Sequence, residues 1–451
     1  MGDPYPLFFY GELDQPALAW GVWSGDELLD GEREIQQFER DPIGAWLEFA
    51  PESTVRMRIA ISNVDMDGAL NNFAEEHTGF AIVTDQEEAR DVWAEWLDVI
   101  QVWGGSEEEK RIFATALYHQ LQMPTLYSDV DGRYLGFDGE IHQSERNFYT
   151  DFSLWDTYRT THPLYTILWP EAHSDLLWSI SRMAQEGGGL PRWPLGNSDT
   201  GVMIGTSANI VFSEALRKGV DDFEEDPLYQ LALDSMMRRT DLAFGAPPSL
   251  DLYEEHGYYP SGIVGRSVAW TQEQSIADYA LGTLAVERGD TSDGEHLIER
   301  GMNWKNLWDP EIEFFHGRDS NGTFAEFSSE ENWEEDYAEG NARQYLWLSP
   351  QDPDGLFETL GGTERSLERL EEMFFEMEAA EGLTGLPELW YWHGNEPTLH
   401  VPWLFALAGD KERGDYWIDW LRKNRYSDQP DGLAGNDDGG TLSAWNVFAS
   451  L

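Results

Sequence analysis

From Ser106 to the end of the chain, one helix-forming stretch follows another, and that succession limits the possible folds more than any other feature. Ser106-Glu107-Glu108-Glu109 carries a capping-box pattern, a Ser followed three residues later by Glu. Ile112, Ala116, Leu117 and Leu121 stand behind it at helical spacing. Further stretches of this kind fall at 174–185, 207–218, 228–242, 271–287, 295–307, 341–348, 367–377, 401–407, 414–423 and 441–451. Helices in succession, joined by loops that carry Gly, Asp, Trp and Tyr, predict an α/α toroid or barrel. No short solenoid-type repeat is present. Loops at one end of such a barrel form a pocket, and chemistry is expected there.

The chain up to about Asn63 is different. Leu7-Phe8-Phe9-Tyr10, Ala17-Leu18-Ala19-Trp20 and Val55-Arg56-Met57-Arg58-Ile59-Ala60-Ile61 are β-rich runs separated by Gly, Asp and Pro. An acidic amphipathic helix is predicted over 85–101, with Val92, Trp93, Trp96, Leu97 and Ile100 on its apolar side. The reading is therefore mostly α: a β-rich region over 1–75, a linker helix within 76–104 and a helical barrel over 105–451.

Charge excludes whole classes of partner. Asp and Glu number 85 against 29 Lys and Arg, a formal net charge of −56. Such a field repels nucleic acid and anionic membrane surfaces. Disorder is excluded by the 41% of hydrophobic residues, which run evenly along the chain. Lysine occurs only at Lys110, Lys218, Lys305, Lys411 and Lys423. An acidic, lysine-poor surface over an intact apolar pattern is expected of a protein from concentrated salt, where self-repulsion is screened. Cysteine is absent, which removes disulfides, a thiolate nucleophile and zinc–thiolate sites. Met1-Gly2-Asp3-Pro4 has neither the charged nor the apolar region of a signal peptide, and no apolar run reaches membrane-spanning length. A soluble protein is expected, with cytoplasmic residence and export after signal removal both open. The 21 Trp suit a carbohydrate cleft, where flat aromatic faces meet sugar rings, and suit a packed core equally well.

Polar residues gather among glycines and aromatics in a few segments. Asp129-Val130-Asp131-Gly132 reads either as the start of an oxygen-ligand calcium loop or, the simpler option, as an Asp–Gly turn. Trp155-Asp156 sets a stacking face beside a carboxylate, or a core Trp beside a helix end. Asn395-Glu396 offers an amide oxygen and a carboxylate, hard ligands that suit calcium. Asn436-Asp437-Asp438 lies at a Gly-flanked helix entrance, where capping alone would explain it.

Several longer strings occur together. They include Ala114-Thr115-Ala116-Leu117-Tyr118-His119, Ser128-Asp129-Val130-Asp131-Gly132-Arg133-Tyr134, Phe152-Ser153-Leu154-Trp155-Asp156-Thr157 and His162-Pro163-Leu164. Met203-Ile204-Gly205, Trp304-Lys305-Asn306-Leu307-Trp308-Asp309-Pro310, Glu339-Gly340-Asn341-Ala342, Gly394-Asn395-Glu396-Pro397 and Ser443-Ala444-Trp445 follow. In this order and with these gaps, the chain from about Val55 onward resembles glycoside hydrolase family 92, the calcium-dependent, exo-acting α-mannosidases. The resemblance implies an (α/α)6 barrel preceded by part of a β-sandwich, with an inverting mechanism and mannose-containing glycans as partners. It puts Glu339 at the general acid and Asp438 at the general base. Asn395 and Glu396 fall in the string associated with calcium. Trp155 and Asp156 fall where mannose is held, and Asp131, His393 and Asp437 are further substrate-binding candidates. An inverting pair needs one protonated and one ionised carboxyl about 6.5–9.5 Å apart, with room for water between. Neither His393 nor His400 is needed as a base.

Some positions depart from the family pattern. Asn436 stands where many members have an acidic residue, Ser207 replaces a histidine, and Arg343 replaces an aromatic. Ser349-Pro350-Gln351-Asp352 varies a Val-Pro-His-Asp string, and Met377-Glu378-Ala379-Ala380-Glu381-Gly382 lacks the His-Glu pair of members acting on α-1,2 linkages. Linkage stays open. Two rivals stay open as well, an α-glucoside hydrolase on the same kind of barrel and a non-catalytic mannose-binding relative.

Overall fold

The computed structural model describes residues 5–36, 42–76, 79–333, 335–380 and 388–451. Met1–Pro4 and the Glu381-Gly382 end of the string read for linkage lie outside the described residues. The chain divides into two compact units, a smaller one of Tyr5–Trp93 with Ser128–Tyr134, and a larger one of Ala94–Tyr127 with Leu135–Leu451.

In the smaller unit the predicted strand runs are strands. β1 (Phe8–Leu13) pairs antiparallel with β5 (Met57–Ser62), and β2 (Ala19–Ser24) lies between β3 (Glu27–Asp30) and β4 (Ile43–Glu48). Alternation along β5 buries Ala60 and Ser62 and exposes Met57, Ile59 and Ile61. An unanticipated helix, Met66–Glu76, closes the buried side, with Phe73 edge-on to Tyr10 at 4.9 Å.

The 128–134 segment belongs to this unit. Ser62 Oγ donates to Asp129 Oδ2 at 2.7 Å and Asn72 Nδ2 donates to Asp129 Oδ1 at 2.8 Å. The Gly132 N–H donates to the Asp129 carbonyl, closing a turn. Arg133 donates to Asp131 at 2.9 Å and to Asp65 at 2.8 Å. The Asp129 carboxylate is thus engaged by Ser62 and Asn72 and that of Asp131 by Arg133, around a turn that Gly132 closes, an arrangement that fits the simpler of the two readings.

The larger unit is mostly helical. Glu107–Gln120 starts with both hydrogen bonds of the predicted capping box, and the last helix, Thr441–Ser450, packs along it. Ser267–Arg288 is buried around most of its circumference, as expected of a helix inside a helical core. It carries two buried carboxylates. Asp278 takes a two-pronged ion pair from Arg300, with Nε and Nη2 each at 2.6 Å, and Glu273 takes one from Arg159.

Three predicted helices are altered, of which the 341–348 stretch keeps only the four-residue turn Ala342–Tyr345. The 295–307 stretch breaks into a helix, Thr291–Arg300, and a 3-10 turn, Asn303–Leu307, with Gly301 at the join, where an added Cβ would lie 2.9 Å from Tyr279 Cβ and 3.1 Å from the Ser275 carbonyl oxygen. The 228–242 stretch runs as Glu225–Met236 and ends where Arg238 takes a left-handed conformation. Thr161–Leu168, Leu250–His256 and Pro353–Thr359 are helices that the periodicity did not reveal. Among the described residues no helix is long and apolar enough to cross a membrane.

Candidate active site

Four loops of the larger unit bring carboxylates to one place. The first ends in the short helix Leu154–Thr157, buried throughout, with Asp156 only 2% exposed. The second holds Glu339 just before the helical turn Ala342–Tyr345, which Asn341 caps through a reciprocal pair with Gln344. The third is Asn395-Glu396 at the 3-10 turn Glu396–Thr398, and the fourth is Asp437-Asp438 ahead of Thr441–Ser450.

Glycine makes this convergence possible. The third and fourth loops touch backbone to backbone: a Cβ on Gly435 would lie 2.3 Å from the Gly394 carbonyl oxygen, and one on Gly394 would lie 2.4 Å from that of Ala434. The fourth loop also lies on the first. A Cβ on Gly439 would meet Ser153 Oγ at 2.5 Å and Thr157 Cγ2 at 2.8 Å, and its φ is +64°.

Glu339 and Asp438 share an uncommon backbone state, with φ of 48° and 49°. A left-handed conformation costs a non-glycine residue about 1–2 kcal/mol, so the surroundings must enforce it. Asn395 Nδ2 donates to the Glu339 carbonyl at 2.7 Å, and Tyr345 OH donates to that of Ala338 at 2.5 Å. Thr441 Oγ1 donates to the Asp438 carbonyl at 2.8 Å.

These side chains feel one another. Burial first, then the charge of Asp438, pushes Asp156 well above the usual carboxylate range. Burial, then the charges of Asp156 and Asp438, does the same to Glu396. Asp438 is pushed up to about 6 by burial and then by Glu339, while a hydrogen bond shared with Glu396 works the other way. Glu396 Oε1 and Asp156 Oδ2 are buried without a hydrogen-bond partner. An assembly of this kind cannot carry all its negative charges without a cation or bound protons.

A buried ion pair lies beside the cluster. Arg159 Nη2 donates to Glu273 Oε1 at 2.7 Å, and Glu273 also accepts from Trp155 Nε1 at 3.1 Å and Tyr158 OH at 3.2 Å. Neither Arg159 nor Glu273 is legible as a site residue in the sequence. Glu273 stands in mid-helix without a local motif, and only its place among the polar residues of an otherwise core-forming helix marks it.

The structure brings Glu339, Asp438, Asp156, Asn395 and Glu396 together. It gives the other candidates different surroundings. Trp155 is 1% exposed, with the Arg159 guanidinium 5.0 Å from its ring centroid, so the indole lies in the core and offers no open stacking face. His393 is wholly buried, its ring nitrogens each 2.8 Å from the hydroxyls of Tyr391 and Tyr426, and burial pulls its pKa down to about 3. A neutral imidazole with both nitrogens engaged braces its loop instead of reaching a ligand. Asp437 accepts from the Ser443 N–H at 2.9 Å and Ser443 Oγ at 2.8 Å, and faces His119 Nδ1 at 3.1 Å. Asp131 belongs to the smaller unit, held by Arg133. Arg343, at a position read as unusual, pairs with Glu330 and Glu331 and lies 3.7 Å over the Trp390 ring.

Residues 68–451 match the glycosyl hydrolase family 92 catalytic domain. An uncharacterized secreted glycosidase of Arthroderma benhamiae (strain ATCC MYA-4681 / CBS 112371) is 24% identical over 454 residues, covering 90% of this chain and 52% of that protein. A family GH92 α-mannosidase from Bacteroides thetaiotaomicron superposes with a TM-score of 0.87 at 28% identity, covering 99% of this chain and 59% of its own. That mannosidase has also been solved in complex with mannoimidazole. The family GH92 inverting mannosidase of Bacteroides thetaiotaomicron VPI-5482 superposes with a TM-score of 0.88 at 26% identity, covering 99% of this chain and 62% of its own. The chain thus spans 52% of the curated relative's length and 59% and 62% of the two solved chains.

Proposed function

The chain belongs to glycosyl hydrolase family 92, and from that premise we propose that it releases mannose from terminal α-mannosides with inversion. Glu339 is the general acid and Asp438 the general base. The observation that carries this reading is the buried cluster that gathers Glu339, Asp438, Asp156, Asn395 and Glu396, with Glu339 and Asp438 both in left-handed backbone; within it burial raises Asp438, to about 6. A base with a pKa near the working pH is ionised and still basic enough to take a proton from water.

In the proposed reaction Glu339 gives its proton to the glycosidic oxygen as the bond to the anomeric carbon breaks. Asp438 takes a proton from a water whose oxygen attacks that carbon from the opposite face. Mannose leaves as the β anomer, and the acid and base exchange protons with solvent before the next cycle. Asp156 holds a hydroxyl of the bound mannose, with the Arg159 charge near enough to oppose the raising of its carboxyl.

Calcium fits the donors present. The buried, unpartnered Glu396 Oε1 is a hard oxygen, and the Asn395 amide, anchored through its nitrogen on the Glu339 carbonyl, keeps its oxygen as an acceptor. Asn395 and Glu396 hold the ion in this reading. When bound, calcium supplies orientation and positive charge at the sugar hydroxyls without proton transfer. The proposed architecture is an (α/α)6 barrel over 105–451 preceded by strands of a β-sandwich within 1–75, and superposition over 99% of the chain supports it.

The test is incubation with an aryl α-mannoside and with α-linked mannobioses in high salt, with calcium and then with excess EGTA. The expected result is mannose release that EGTA abolishes on every substrate and that Glu339→Gln greatly reduces on the mannobioses, whose leaving group needs the acid. Release of glucose from α-glucosides without calcium would transfer the reading to the glucosidase rival. Binding of mannose without turnover would transfer it to the non-catalytic one.

A further inference from the structure

Two strings picked out in the sequence have no part in the reaction as described, Ala114-Thr115-Ala116-Leu117-Tyr118-His119 and Ser443-Ala444-Trp445. In the structure they meet. His119 and Gln120 are the last two residues of the helix Glu107–Gln120, and they reach the fourth loop on either side of Asp438. His119 Nδ1 lies 3.1 Å from Asp437 Oδ2 and 3.1 Å from Ser443 Oγ. Gln120 Nε2 donates to the Gly440 carbonyl at 2.5 Å, and the Gln120 carbonyl itself accepts from Tyr165 OH at 2.6 Å. Asp437 also takes the N–H and the hydroxyl of Ser443, so its carboxylate joins the loop to the first turns of Thr441–Ser450.

We propose that His119, with Asp437 and Ser443, is a positioning device that holds Asp438 in its left-handed conformation and so aims the proposed base. A non-glycine residue at φ 49° relaxes unless its neighbours are pinned. Asp437 pins the position before it, and Gln120 pins the second position after it. His119 acts through Asp437 and does not touch the reacting atoms. The inference rests on Asp438 being the base.

The imidazole is reachable from outside. His119 keeps 30% of its side chain exposed and lines a cavity of about 570 Å³ whose walls include Arg111, Thr115, Tyr426, Asp428 and Ser443. A small heterocycle added to a truncated variant has room to take its place.

The test is His119→Ala in the full chain, assayed with an aryl α-mannoside and compared with His119→Gln, which restores a side-chain donor. The expected result is a tenfold or greater fall in kcat with KM within twofold, and an unchanged melting temperature. Free imidazole should recover several-fold of the rate in a saturable way, and His119→Gln should lie between wild type and His119→Ala. Hydrogen–deuterium exchange supplies a readout independent of turnover, since peptides covering 435–443 should exchange faster in His119→Ala alone. Wild-type kcat in the folded variant would overturn the proposal. So would a loss that comes with a lowered melting temperature and no imidazole response. If the wild type released no mannose, the proposed reaction would fall, and unchanged exchange over 435–443 would then overturn the positioning role separately.

Discussion

The protonation of Asp438 governs the proposed reaction, and its pH dependence follows from its surroundings. Its carboxyl is pushed up to about 6, by burial first and by the charge of Glu339 second. About one molecule in ten then carries the ionised base at pH 5, and about nine in ten at pH 7. For an aryl α-mannoside whose leaving group needs no protonation, kcat/KM should fall roughly tenfold for each pH unit below about 6. Glu339→Gln removes the second cause and leaves the first. Loss of one neighbouring charge is worth on the order of 1.4 kcal/mol, so the acidic limb should move down by about one pH unit. Asp156 and Glu396 share the field, so the limb belongs to the cluster and the difference between wild type and variant isolates Glu339. The assay is steady-state hydrolysis from pH 4 to 8 with calcium held constant. A limb at the same pH in both proteins, or a wild-type limb near 4, would refute the electrostatic account.

Other outcomes follow from the same contacts. Glu273→Gln leaves Arg159 buried without its counter-charge, which should cost about 3–5 kcal/mol in urea unfolding, and a loss below about 1 kcal/mol would contradict the pairing. Calcium at about a hundred times its dissociation constant should stabilise the wild type by roughly 2.7 kcal/mol in scanning calorimetry and leave Glu396→Gln nearly unmoved; equal shifts in both would remove Glu396 from the ligands. Burial pulls His162 down to about 3, so folding keeps it neutral while the unfolded chain protonates near 6.5. Its contribution is present above pH 6.5 and lost as the pH falls toward 3. His162→Gln should therefore shrink the stability difference between pH 7 and pH 5 by about 2 kcal/mol in denaturant titrations, and an unchanged difference would contradict a buried neutral ring. A net charge of −56 should make the melting temperature rise between 0.1 M and 2 M KCl, and a flat response would argue against self-repulsion as the limiting term.

Much of the helical part was legible because burial on one face leaves a period in the sequence. Glu107–Gln120 and Ser207–Arg217 show that period with a cap or a clean start. Thr161–Leu168 is short and apolar on several faces, and Pro353–Thr359 is a seven-residue piece, so neither carries a period to read. The site divides in a similar way. Asn395, Glu396 and Asp438 were found through glycine-flanked strings, whose glycines turn out to let two backbones touch. The buried state of Trp155 and His393 was not legible, since an aromatic beside a carboxylate reads the same whether it faces sugar or core. Glu273, Arg159 and the contact of His119 with Asp437 depend on partners 114 and 318 positions away in sequence, and no local pattern records them.

The most direct test of the central claim is the anomer first released from an aryl α-mannoside, followed by proton NMR in calcium and high salt. β-Mannose is expected in the earliest spectra, converting later to the equilibrium mixture, with no signal after EGTA or in Asp438→Asn. α-Mannose appearing first, or no mannose at all from folded protein in calcium and salt, would contradict that claim.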